Sequence, residues 1–486
     1  MPIDLNGTVT PYTGPSYDVR YILEQAQNFD VSTQGDPTQS YDIVGNALDN
    51  RIYGGDQDDR LWGAGGFNWL YGGKGDDIFI SGDPGSYNTM DGQGGKRDTV
   101  DYSGADTAAT VDLLGGDAIG YKSGHIEFAD SIQGVEDVIG TAYNDTITGD
   151  DNANTLQGSW GDDTLSGGDG KDTLMGGAGS DVLEGGAGGD VLNGDGAGGA
   201  QDFADGTNTA SYEHASETYG MGVWLSLADK GYTGDAADDT YIDVQNVIGS
   251  DFPDDIEGDD HNNELDGRGG WDFLSGGGGD DTLKGGGGGD TLDGGAGADT
   301  LEGGPGEDGA DYEDATSGVT LSLADGKGTG GDAAGDTFDS IEDVGGSKYK
   351  DTIIGDSKDN VLEGGGGGDI LTGGQGSDVF YYSDISESNL KPHGSDTITD
   401  FDAANDKIDL SWIAFESGVV TGAFSQFTLI NSDVPNPAAG SIQVSYDNPD
   451  APTKTYVELY TDNVPGADMF IELTGDVTLH QNNFIT

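Results

Sequence analysis

Large apolar residues recur every nine positions in four stretches of this chain, separated by glycine, aspartate and other polar residues. The clearest stretch, residues 158–193, reads GSWGDDTLS, GGDGKDTLM, GGAGSDVLE and GGAGGDVLN, with glycine opening each nonad, aspartate at its sixth place and an apolar side chain at its eighth. The eighth place holds Ile52, Leu61, Leu70 and Phe79, then Ile147, Leu156, Leu165, Leu174, Leu183 and Leu192; the rule runs on from Ile256 to Leu301 and from Ile353 to Phe380, and only Ala310 is small. A short strand around the eighth place turns that side chain one way and its neighbours the other, so stacked nonads line up an internal apolar column. Two nonads make one coil, and the predicted fold is all-β: a parallel β-roll or β-solenoid in four runs. A disordered Gly/Asp-rich linker has the same composition, but it has no reason to keep a large apolar residue at a fixed phase of nine.

The pattern divides the chain. Runs of nonads occupy residues 44–80, 140–194, 249–311 and 346–381, and the intervening segments 81–139, 195–248 and 312–345 carry alternating apolar residues such as Val111 and Leu113, Val223, Leu225 and Leu227, or Val319, Leu321 and Leu323, which read as strand. The later runs begin alike, VIGTAYNDTITGD at 138, VIGSDFPDDIEGD at 247 and VGGSKYKDTIIGD at 344, at spacings of 247 − 138 = 109 and 344 − 247 = 97 residues. Because each insertion returns to the nine-residue phase, the insertions are expected to be longer coils inside, or flaps on, one nearly continuous solenoid rather than links between four separate rolls. Residues 1–43 lack the ladder; Val19, Ile22, Leu23 and Ala26 fall at helical spacing behind Pro15 and Ser16, which predicts a short capping helix. From 382 to 486 the composition becomes ordinary and aromatic-rich. DTITDF, DKIDLSWI, SIQVSY, TYVELY and MFIEL are expected to form a small antiparallel sheet sealing the roll.

The sixth place of the nonads carries the chemistry. It is aspartate at Asp59, Asp77, Asp145, Asp163, Asp172, Asp181, Asp190, Asp254, Asp272, Asp281, Asp290, Asp299, Asp308, Asp351, Asp369 and Asp378, and asparagine at Asn50, Asn68, Asn154, Asn263 and Asn360. Glycines let a G-G-x-G-x-D segment turn tightly with its carbonyl oxygens inward, and aspartates eighteen apart fall in adjacent coils on one edge. Carbonyls plus two carboxylates suit Ca2+, which takes about six to eight oxygen ligands, so multiple calcium ions are the expected cofactor. The asparagines offer a weaker neutral oxygen. Asp290, with ladder aspartates on both sides, is expected to be more tightly coupled than Asp77, which closes the first run with only Asp59 behind it. The additional acids at the fifth place, Asp58, Asp76, Asp162 and Asp280, read as a solvated acidic face.

Charge supports this assignment. Eighteen Lys and Arg against 91 Asp and Glu give a net charge of −73, which excludes nucleic acid as a partner and makes any compact state self-repelling until cations bind. Without cysteine there are no disulfides or thiolate sites. The first residues show neither a basic nor an apolar signal region, and no apolar run is long enough for a transmembrane segment, so an ordinary secretory signal is not expected.

The repeats resemble those of RTX (repeats-in-toxin) proteins, and GSDVFYY with SDTITDFDAANDKIDLSWI, Gly376 to Ile413, resembles the C-terminal domain of serralysin-type secreted proteases. FIELTGDVTLHQNNFIT at the end is similar to the uncleaved signals of type I secretion. The resemblance implies export from a Gram-negative bacterium through an ABC exporter, an extracellular location and folding on calcium outside the cell. The zinc-binding H-E-x-x-H helix of serralysins is missing, and His125, His214, His261, His393 and His480 are scattered. No catalytic motif stands out, so the expectation is a non-enzymatic surface-layer, matrix or adhesive protein, with self-association or a cell-surface glycan as candidate partners. The alternatives are a secreted hydrolase or polysaccharide-modifying enzyme with its site in the insertions, and a glycan- or protein-binding module on a calcium-stiffened spacer. Trp62, Trp69, Trp160 and Trp271 lie beside the turns, placed either to pack between coils or to stack on sugars.

Overall fold

The computed structural model describes residues 19–22, 28–30, 39–195, 206–388, 394–416, 428–430, 441–447, 453–460 and 467–485. The chain divides into two compact units, Met1–Ile248 and Gly249–Thr486, and each is built of short parallel strands. Among the described residues no helix is long and apolar enough to cross a membrane.

In the first unit each nonad contributes one short strand, and consecutive strands alternate between two sheets. Strands eighteen residues apart therefore pair in parallel: Leu156 faces Leu174 and Leu174 faces Leu192, while Leu165 faces Leu183 on the other side. One apolar column runs from Ile43 through Leu61, Phe79, Val100, Val138, Leu156, Leu174 and Leu192 to Tyr241 without a break. The first two runs and the insertion between them thus form one solenoid. Every nonad apolar side chain in this column is buried, each supplying about 1.5–3 kcal/mol of transfer free energy.

The insertion 81–139 keeps both sheets growing by different means. Thr99–Asp101 continues the column sheet, pairing with Ile78–Ile80 and Asp137–Ile139. On the opposite side Ser86–Gln93 pairs in parallel with Gly66–Gly73 and His125–Gln133. The sheet continues antiparallel from His125–Gln133 through Asp117–Lys122 to Ala109–Asp112, which pairs with Thr146–Thr148 of the second run. The insertion 195–248 repeats the device: Thr209–Ser211 and Thr240–Ile242 stay in the coil, and Trp224–Ser226 and Gly231–Thr233 make an antiparallel hairpin.

The second unit has the same plan. One column runs from Ile256 through Leu274, Leu292, Ala310, Val344, Leu362, Phe380 and Ile408 to Phe484. Opposite it, Leu321, Ile353, Leu371, Ile398 and Leu473 are stacked.

Two expectations are corrected. Val19–Ile22 is a strand, paired in parallel with Tyr41–Val44, where the spacing suggested a helix; an apolar pair at three residues is equally compatible with a strand whose ladder partner lies downstream. Pro15, Ser16, Leu23 and Ala26 lie outside the described residues. The C-terminal segments do not form a single antiparallel sheet. Ser441–Tyr446, Lys454–Tyr460 and Met469–Thr474 form an antiparallel meander, but Asp396–Ile398 and Lys407–Asp409 extend the parallel solenoid, and Trp412 and Ile413 begin a short helix, Ser411–Glu416.

Candidate metal centre

All sixteen ladder aspartates are buried, none more than 2% exposed. Their burial follows from the strand that begins beside each of them: with the apolar side chain two places on directed into the column, the aspartate also faces inward, at the edge of the coil. Adjacent coils bring together the aspartates expected to meet. Oδ1 of Asp163 accepts the Asp145 backbone N–H at 2.7 Å, and Oδ1 of Asp181 accepts that of Asp163 at 2.8 Å. The same bond joins Asp172 to Asp190, Asp254 to Asp272, Asp272 to Asp290, Asp290 to Asp308, Asp281 to Asp299, Asp351 to Asp369 and Asp59 to Asp77, at 2.7–2.9 Å.

The second oxygen is different. Oδ2 of Asp77, Asp163, Asp172, Asp181, Asp190, Asp272, Asp281, Asp290, Asp299, Asp308 and Asp369 is buried and meets no hydrogen-bond donor. A buried carboxylate oxygen without a donor is costly unless a cation faces it. The glycine opening each nonad makes the room: a Cβ on Gly158 would lie 2.1 Å from Asp163 Oδ2 and 2.7 Å from the Gly176 carbonyl oxygen. A carboxylate oxygen and a backbone carbonyl from the next coil thus converge on a space that any larger residue would fill, and this all-oxygen donor set fits calcium. Among the described residues no three His, Asp or Glu side chains cluster as a metal site; a cation held here would draw on the carbonyls as well.

Not every ladder position is alike. Asp145, Asp254 and Asp351 open their runs where serine or threonine replaces a glycine, and there both carboxylate oxygens accept bonds: Thr141 N–H goes to Asp145 Oδ2 at 2.5 Å, Ser250 N–H to Asp254 Oδ2 at 2.6 Å and Ser347 N–H to Asp351 Oδ2 at 2.8 Å. Asp59 Oδ2 likewise accepts the Gly55 N–H at 2.5 Å. Four of the five asparagines use the side-chain oxygen as an acceptor, whereas Asn50 Oδ1 is buried and meets no donor. Asn154 accepts the Asp150 N–H at 2.8 Å and donates to the Glu136 carbonyl at 2.8 Å. Among the fifth-place acids, Asp58 accepts the Asp76 N–H and Asp162 the Ser180 N–H, at 2.9 and 3.0 Å, so these exposed groups tie neighbouring coils.

Several ladder members were invisible to the nine-residue phase. Asp98 accepts the Asp77 N–H at 2.7 Å, Asp239 that of Asp190 at 2.7 Å, Asp336 that of Asp299 at 2.9 Å and Asp396 that of Asp369 at 2.9 Å. Each opens an Asp-Thr-apolar triplet, DTV, DTY, DTF and DTI, like the DTL of the nonads; that triplet was the signal, stripped of its glycines. The expected difference between Asp290 and Asp77 therefore loses its basis, since Asp77 sits between Asp59 and Asp98.

Burial pushes the carboxyls up, to about 8 for Asp77, Asp163 and Asp272, about 7 for Asp299 and about 6 for Asp172, Asp181 and Asp281. Burial raises both Asp369 and Asp396, and repulsion from Asp396 raises Asp369 further. A carboxyl raised in the cation-free fold keeps a proton that the unfolded chain has lost. That fold is therefore favoured below pH 4 and loses stability as pH rises toward 8. Calcium bound at these carboxyls would displace those protons. Calcium midpoints followed by tryptophan fluorescence should fall roughly tenfold or more between pH 6 and pH 8, with proton release on binding; a pH-independent midpoint would contradict this.

Comparison with known families agrees with the geometry. The family model of the RTX calcium-binding nonapeptide repeat matches residues 53–83, 132–165, 139–174, 166–197, 248–283 and 275–310, and that of the Peptidase M10 serralysin C terminal matches 336–486. Among solved structures, one subunit of the Azotobacter vinelandii mannuronan C5-epimerase is 25% identical, covering 42% of this chain and 77% of its own at a TM-score of 0.19. Another subunit of that enzyme is 24% identical, covering 47% and 89% at a TM-score of 0.18. No curated protein matches the chain. Register, buried carboxylates and family models together show that this chain carries RTX nonapeptide repeats, which bind multiple calcium ions, and a serralysin-type C-terminal domain.

Proposed function

We propose that this is a secreted protein that folds when its ladder aspartates take up calcium outside the cell, and that it serves a non-enzymatic surface-layer, matrix or adhesive role. The observation that supports this reading is the set of eleven buried Oδ2 atoms with no donor, repeated along both units. Export through a type I ABC exporter is supported by the serralysin-type C-terminal match, which reaches residue 486. Inside a cell, where free calcium is scarce, a chain this acidic stays extended and passes through the exporter; calcium outside then drives folding.

Removing the last fifty or so residues should abolish export while leaving calcium binding by residues 44–194 intact. Immunoblots of medium and cells from a strain carrying the native exporter, full length against truncated, test this, and truncated protein in the medium would refute it. The role itself is tested by imaging the full-length protein with calcium: fibres or a lattice are expected, and dispersed monomers together with turnover of a polysaccharide would favour an enzyme instead.

A further inference from the structure

We propose that Asp98 is a calcium ligand, so that the calcium column of the first run continues one coil into the insertion at a site shared with Asp77. This rests on the reading of the ladder aspartates as calcium ligands. Asp98 lies outside the nonapeptide phase, twenty-one residues beyond Asp77, yet its Oδ1 accepts the Asp77 N–H at 2.7 Å as an on-phase aspartate would. Asp77 is fully buried, and its Oδ2 meets no donor.

The glycine cradle is also reproduced. A Cβ on Gly72 would lie 2.2 Å from Asp77 Oδ2 and 3.0 Å from the Gly92 carbonyl oxygen, and one on Gly92 would lie 2.3 Å from Asp98 Oδ2 and 1.9 Å from the Gly134 carbonyl oxygen. Two carboxylates and two backbone carbonyls thus follow one another in the order seen at Gly158, Asp163 and Gly176. The neighbouring cation is engaged elsewhere, since the Arg97 Nε–H donates to Asp137 at 2.9 Å.

The other insertions show what closes such a column. Asp239 and Asp336 take the same backbone bond, but their Oδ2 atoms accept the hydroxyls of Tyr212 and Tyr312 at 2.8 and 2.6 Å. Tyr102, four residues after Asp98, donates to Asp130 at 3.1 Å, and Asp130 accepts the Asn88 N–H at 2.9 Å on the column of Asn50, Asn68 and Asn88; this hydroxyl cap therefore closes the other column and leaves the Asp98 rung to a cation.

Asp98→Asn tests this with little risk to the fold, because Asn68 already accepts the Asn50 N–H at 3.0 Å on an equivalent rung. Calcium bound per chain is counted by equilibrium dialysis and metal analysis at saturating calcium for the wild type, Asp98→Asn and Asp163→Asn. Loss of one ion in Asp98→Asn is expected, and an unchanged count overturns the proposal. An unchanged count in Asp163→Asn would instead defeat the broader ladder reading. Hydrogen exchange on the wild type gives a check free of mutation: amides of residues 92–98 should gain protection with calcium, and no gain there while residues 158–190 are protected would also overturn it.

Discussion

Chelating calcium from the folded protein at pH 7.5 should convert it from β-rich to largely unfolded, and calcium titration should restore the β spectrum cooperatively. The driving term is electrostatic. Eleven ladder carboxylates present a buried oxygen to no donor, and an uncompensated buried charge costs several kcal/mol, so the ledger of a marginally stable fold cannot carry many of them. The net charge of −73 adds self-repulsion, and a chain with 90 glycines loses much backbone entropy on ordering. Calcium reverses the first two terms together, which makes metal binding and folding a single process. Far-UV circular dichroism in excess chelator is the measurement; a fully β-rich spectrum there would show that packing alone sustains the roll.

Gly288→Ala should be among the most damaging single substitutions in the chain. A Cβ at this position would lie 1.5 Å from the Gly270 carbonyl oxygen and 3.2 Å from Asp290 Oδ1. The obstruction is backbone of the adjacent coil, so no rotamer change relieves it, and separating the coils breaks the Gly269–Gly270 pairing with Gly287–Gly288 along with the cradle. The cost should exceed about 4 kcal/mol, the range kept for severe core lesions, and because coils support one another as nearest neighbours the damage should spread along the run. Gly104→Ala is the control: nothing lies within 4 Å of its added Cβ, and it should stay within about 0.5 kcal/mol of wild type. Calcium-saturated urea denaturation of the two variants measures the difference, and comparable midpoints would show that the coils yield more easily than their spacing indicates.

The repeat was fully legible in the sequence because its determinants are local. Leu165 at the eighth place, Asp163 at the sixth and Gly158 at the first specify one coil edge within nine residues, and repetition carries that specification along the chain. The unbroken column through Val100 and Val138 was harder to read, since the insertion lengthens the coil and removes the glycines while the strand triplets remain.

The N-terminal segment shows the opposite case. Val19 and Ile22 carry a spacing compatible with either helix or strand, and the ladder with Tyr41–Val44 decides between them, an interaction no local pattern contains. The same holds for Asp396–Ile398 and Lys407–Asp409, whose alternation said strand but left open which strands they would meet.

What the sequence by itself determined, then, is the period, the inward column, the buried carboxylates and the calcium they imply, all of which follow from residue type at fixed short spacing. Only the tertiary structure decided which carboxylates stand next to one another across an insertion, as Asp77 with Asp98 or Asp190 with Asp239, and which of them a tyrosine hydroxyl satisfies. The physical reason is that loop closure costs little more as a loop lengthens. Stacking can therefore resume after 21, 37 or 49 residues, and the rung that results depends on where the chain returns rather than on how many residues it took.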